Sequence, residues 1–133
     1  MNEGDFLRRT KTFALSILNL TGSLHRIEPV AVLARQLLRS GVSVGANYRA
    51  ACRAKSRADM AHKLAIVEEE LDESAYWMEL LVESGLLPAK DVEPLMKEAR
   101  ELLAMTVASR RTLAQATGGG KIENRKSKIE NPA

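Results

Sequence analysis

Apolar residues along this chain fall into four blocks, each spaced for one face of a helix. In the first, Phe6, Phe13, Ile17 and Leu20 recur at three-, four- and seven-residue steps, and Asp5 stands where an N-cap belongs, so the pattern predicts a helix over 5–20. The run "TGSLHRIE" breaks it, with Gly22 as the interrupting residue. The second block starts at Pro29, a residue that suits a first helical turn, and continues through Val30, Leu33, Leu37, Val44, Tyr48 and Ala51 over 29–54. The third spans 56–84: Met60, Leu64, Val67, Leu71, Ala75, Met78 and Val82 alternate steps of three and four. Ser56 with Asp59 resembles a capping box at its start, and Gly85 and Pro88 mark its end. The fourth runs over 91–116, with Pro94 in its first turn and Leu95, Leu102, Met105 and Leu113 on its buried side.

Four amphipathic helices joined by short connections imply an all-α, antiparallel up-down four-helix bundle over residues 1–116. Residues 117–133 read differently. "TGGGKIENRKSKIENPA" opens on three glycines and repeats "KIEN", and its only large apolar residues are two isoleucines. That composition cannot offset the entropy of ordering, so a disordered low-complexity tail is expected.

Composition agrees with helices: only 4% of residues are aromatic, against 45% apolar overall, which disfavours a sheet-rich fold. The single cysteine, Cys52, excludes an intramolecular disulfide. No segment reads as a signal peptide or membrane span, so a cytoplasmic location is expected. Charge is uneven. Residues 1–67 hold 11 Lys/Arg against 4 Asp/Glu, a net +7, whereas residues 68–133 hold 9 against 13, a net −4. Such segregation suits an anionic partner, self-association, or helices stacked with opposite charges facing.

The stretch "SGVSVGANYRAACRAKSR", residues 40–57, sharpens this. Placed on one helix at 100° per residue, Arg35, Arg39, Arg49, Arg53 and Arg57 share a stripe of about 80°, opposite the apolar face. These five are the candidate nucleic-acid-binding residues, with affinity for phosphates and little sequence choice. Ala34, Gly41, Gly45 and Cys52 form a small-residue flank, which admits a close helix neighbour. The Walker pattern is missing after Gly45. Asn47, at the border, reads as a polar residue satisfying a backbone group.

The same region carries a resemblance. "SGVSVGANYRAACRAKSRADMAHKLAIVEEELDESAYWMELL" resembles the signature region of four-helix-bundle proteins related to the 23S ribosomal RNA intervening-sequence proteins, and to the accessory variability proteins of diversity-generating retroelements. The resemblance covers residues 5–116. It implies a small bundle that assembles into rings, often pentamers, with RNA or DNA among its partners and, for the retroelement proteins, a reverse transcriptase alongside. It brings no catalytic motif.

Nothing else in the chain suggests catalysis, a metal or a cofactor. His25 falls in a loop, His62 points away from the core stripe, and the acids of "EEELDE", residues 68–73, spread around their helix. Cys52 has Arg49 and Arg53 nearby but sits on the packing flank, so an inert thiol is expected. The function expected is therefore a non-enzymatic oligomer that associates with RNA or DNA. The alternative is a structural or adaptor module whose arginines pair with the 68–83 acids of a neighbouring helix, a further subunit or a protein partner. For the oligomer, Ile66, Trp77 and Leu80 form a second apolar stripe on the third helix, opposite the first, and are the candidate subunit contact. The competing reading packs that stripe inside the same bundle.

Overall fold

The computed structural model describes residues 2–24, 26 and 28–119. Four helices make up the fold: α1 (Glu3–Thr21), α2 (Val30–Cys52), α3 (Arg57–Glu83) and α4 (Ala89–Gly119). Each packs on its neighbours in sequence, and α1 meets α4 to close the ring, while the backbones of the diagonal pairs stay apart. This is the expected up-down bundle. Its core is a central column of Phe6, Phe13, Ile17, Leu37, Val44, Val67, Leu71, Met78, Leu81, Val92 and Leu102.

The helix limits differ from the pattern in ways that have local causes. Asn2, not Asp5, caps α1: its side chain accepts from the Asp5 N–H at 2.8 Å, so the helix begins two residues earlier than expected. Pro29 is itself the cap residue of α2, which starts at Val30. The α3 cap follows expectation. Ser56 Oγ accepts from the Asp59 N–H at 3.0 Å, and Asp59 Oδ2 reaches back to the Lys55 N–H at 3.1 Å. Gly85 follows the end of α3 at φ 81°, the left-handed conformation glycine tolerates, and its N–H closes on the Val82 carbonyl at 3.0 Å. Helix α4 starts at Ala89, so Pro94 lies inside it, past the first turn, on an exposed face. It also continues to Gly119, beyond the expected limit at 116. The remainder of the expected tail, residues 120–133, lies outside the described residues, as does His25.

The register of α4 is the main departure. Val92, Met96, Ala99, Leu102 and Thr106 are its buried row, while the expected Leu95, Met105 and Leu113 are only half-buried. The glycines of α2 do admit a close neighbour, and that neighbour is α1. A Cβ on Gly41 would stand 2.3 Å from Ile17 Cδ1, and one on Gly45 3.4 Å from Thr10 Oγ1. On the α3 side, small hydroxyls fill the seam: Ser40 and Ser74, both fully buried, hydrogen-bond to each other at 2.8 Å.

Candidate nucleic-acid interface

The connection between α2 and α3 is four residues long and hydrogen-bonded throughout. Arg53 N–H donates to the Ala50 carbonyl and Ala54 N–H to that of Ala51, both at 3.1 Å, and Met60 N–H returns to Ser56 at 2.9 Å. The sequence reasons are local: Ser56 and Asp59 supply a cap that starts α3 at once, leaving α2 only one turn's width to unwind. This tight corner holds Arg49, Arg53, Lys55 and Arg57 exposed, and none of them has an ion-pair partner among the described residues. Arg57 is therefore the first residue of α3, not the last of a stripe along α2.

The other two stripe arginines are differently placed. Arg39 stands about 21 Å up the helix from Arg53, at 1.5 Å per residue. It reaches across to α3, with Nη2 on Glu73 at 2.5 Å and Nη1 3.5 Å from Glu70. Arg35 lies 3.9 Å from Glu28. The five arginines thus do not act as one surface: three line the corner, one braces α2 against α3, and one sits by the α1–α2 connection.

Folding converts the uneven charge of the sequence into an axial one. The N-terminal half of α1, the C-terminal half of α2 and the N-terminal half of α3 lie together, joined by the last turns of α4, where Arg110 pairs with Glu68. Residues 2–11, 42–68 and 105–115 hold 10 Lys/Arg and 4 Asp/Glu, a net +6. Residues 12–41 and 69–104 hold 6 and 11, a net −5. Periodicity on single helices missed Lys55, Lys63, Lys11 and Arg111, because the basic end is assembled from four elements. The excess of bases in residues 1–67 was the signal for it.

The groups near this end are tuned for packing. Burial pushes the Cys52 thiol up to about 11, with Glu3 adding to the effect and Arg53 only partly opposing it. Burial likewise raises the Tyr48 hydroxyl, whose ring stacks at 4.4 Å on Phe6. Asn47 donates to the Ser43 carbonyl of its own helix at 2.9 Å, the backbone role expected of it. His62 is exposed. No group of three His, Cys, Asp or Glu side chains converges as a metal site among the described residues, and no helix there is long and apolar enough to cross a membrane.

The expected subunit contact divides too. Trp77 is half-buried and packs against the core, with its indole N–H enclosed and finding no acceptor among the described residues. Ile66 and Leu80 are also half-buried. The aromatic that faces outward is Tyr76, 53% exposed, with its ring edge-on to Trp77 at 5.2 Å and Asp72, Glu73 and Glu79 around it.

A sequence profile of the 23S rRNA-intervening sequence protein family matches residues 3–108, from the start of α1 into α4. The chain belongs to this family. A solved structure from Bacteroides thetaiotaomicron, a protein of unknown function from the S23 ribosomal protein family, is 32% identical with a TM-score of 0.78, covering 84% of this chain and 99% of that one. No curated protein matches. Neither the family description nor the solved relative names an enzymatic activity. Family membership thus accounts for the bundle, and the matched residues include the basic corner.

Proposed function

We propose that this protein is a non-enzymatic nucleic-acid-associated bundle that engages RNA through its basic end. The observation that carries the reading is the exposed set of Arg49, Arg53, Lys55 and Arg57, without ion-pair partners among the described residues, on a corner braced by hydrogen bonds. Cations fixed in this way meet phosphates without first releasing a carboxylate partner. The family description mentions 23S rRNA without naming a ligand, so RNA is the first polyanion to test and DNA the second. The retroelement resemblance adds DNA and a reverse transcriptase as alternative partners for the same end.

Filter binding of a structured RNA across a salt series tests this. Retention falls steeply with salt, and Arg53→Gln with Lys55→Gln and Arg57→Gln weakens it at least tenfold for all sequences alike. Arg35→Gln with Arg39→Gln changes it little. A folded wild type that retains no RNA at low salt ends the reading.

A second reading, self-association, is favoured by Tyr76, which a monomer leaves exposed among acids on the outer face of α3. The adaptor alternative receives a narrower support. Arg39 does pair with the acids of α3, but within one chain.

A further inference from the structure

The outer surface between α1 and α2 holds a groove of about 460 Å³, which meets the basic corner at Arg49 and contains none of Arg53, Lys55 and Arg57. Its floor is Leu7, Ala14, Val42 and Ala46, and Thr10 and Gly45 meet beneath. The depth has a sequence cause. Ala14, Gly45 and Ala46 are too small to fill the space that two helices leave on their outer side. Helix positions one turn on from Lys11 and Ala14 carry Leu15, 54% exposed, and Leu18, 45% exposed, so the apolar strip continues along α1. Single exposed aliphatics are ordinary, but a contiguous strip on a grooved face marks an interaction surface.

The rim is cationic. Arg8, Lys11 and Arg49 border the groove, and no Asp or Glu lines it. Arg8 is held by Asp5, whereas Lys11 and Arg49 have no ion-pair partner among the described residues. We propose that this groove docks an acidic amphipathic helix of a partner protein. Aliphatic residues at i, i+4 and i+7 of that helix enter the floor, and its flanking Glu or Asp side chains meet Lys11 and Arg49. The strip from Leu7 to Leu18 is about 16 Å long, three turns of a docked helix.

Other occupants fit less well. The outer face of α3 in a second copy has the right sign, but Tyr76 is its one exposed large apolar side chain, and Asp72, Glu73 and Glu79 surround it, so it offers no exposed aliphatic row to the groove. The sequence after Gly119 carries four Lys/Arg and two Glu, the wrong sign for this rim. RNA finds no aromatic on the floor to stack a base.

The test is fluorescence anisotropy of the full chain with a stapled 16-residue helical peptide bearing Leu at i, i+4, i+7 and i+11 and Glu on its flanks. Two control peptides replace Glu by Lys, or Leu by Ser. The Glu peptide binds at least tenfold tighter than either control. Val42→Asp weakens it at least tenfold. Lys11→Glu with Arg49→Glu weakens the Glu peptide and tightens the Lys peptide, a reversal that loss of folding cannot mimic. Arg53→Gln with Arg57→Gln leaves peptide binding unchanged while lowering RNA retention, which separates this proposal from the one before. Equal binding of the Glu and Ser peptides, or of both charge types, overturns it. So does light scattering in which Val42→Asp splits an assembly, since another copy then fills the groove, or RNA binding that depends on Val42.

Discussion

Among the described glycines, Gly41 has the least room for a side chain. Its missing Cβ leaves room for the Cδ1 of Ile17, itself fully buried. Alanine is worth about 1 kcal/mol more than glycine in a helix interior, but forcing a methyl into a filled core costs about 1–3 kcal/mol. Gly41→Ala therefore destabilises in net, by about 1 kcal/mol in urea unfolding, and combining it with Ile17→Val, which deletes the colliding methyl, removes most of the loss. Glu70 gives a pH signature. Burial raises its carboxyl above the ordinary glutamate range, more than the nearby Arg39 lowers it. A raised folded-state value means that the ionised form is disfavoured on folding, so stability from this group is full at low pH and is lost as pH rises through the raised value. Glu70→Gln accordingly raises the denaturation midpoint at pH 7 and leaves it unchanged at pH 4. Cys52, with its thiol pushed up to about 11, is alkylated by iodoacetamide at pH 8 more slowly in the folded protein than in urea.

At the scale of elements, α3 depends on its first turn. Ser56 accepts from Asp59 and Asp59 accepts from Lys55, and the same two bonds place Arg53, Lys55 and Arg57. Ser56→Ala removes a cap worth about 1 kcal/mol, and it also loosens the corner. The expected result is a lower thermal midpoint together with weaker RNA retention, although Ser56 carries no charge. This turn was legible beforehand, since Ser56, Asp59, Gly85 and Pro88 are punctuation that acts within a few residues. The five-arginine stripe failed because it projected one helix through the start that Ser56 signals, which put Arg57 on the wrong element. Helix α4 misled for another reason. Its core row includes Ala99 and Thr106, which a search for large apolar residues passes over, while the half-buried Leu103 and Met105 flank that row on opposite sides. Where the centre of this wide apolar arc falls is decided by α1 and α3, and no local signal states it.

For the whole molecule, the contrast between Tyr76 and Trp77 decides how self-association should be probed. Trp77 packs on the core, so Trp77→Glu lowers the melting temperature sharply and says little about assembly. Tyr76→Glu acts on an exposed side chain, leaves the melting temperature within about 2 °C and, if copies meet on this face, yields a smaller species by light scattering. A wild type that is monomeric by the same measurement ends the self-association reading. Sequence could show that α3 had apolar residues on two sides; it could not show that the second is already half-buried within one chain.

The axial sorting of charge has one more consequence, which concerns handling as much as biology. Net +6 on one half and net −5 on the other, within a chain of net +3, leave a rod whose ends differ far more than its total suggests. Such a rod turns before it lands, because an electric field exerts a torque on it well outside contact distance. At a single pH and low salt it should stay on both a sulfonate and a quaternary-amine column, end-on in opposite senses, and leave each at modest ionic strength.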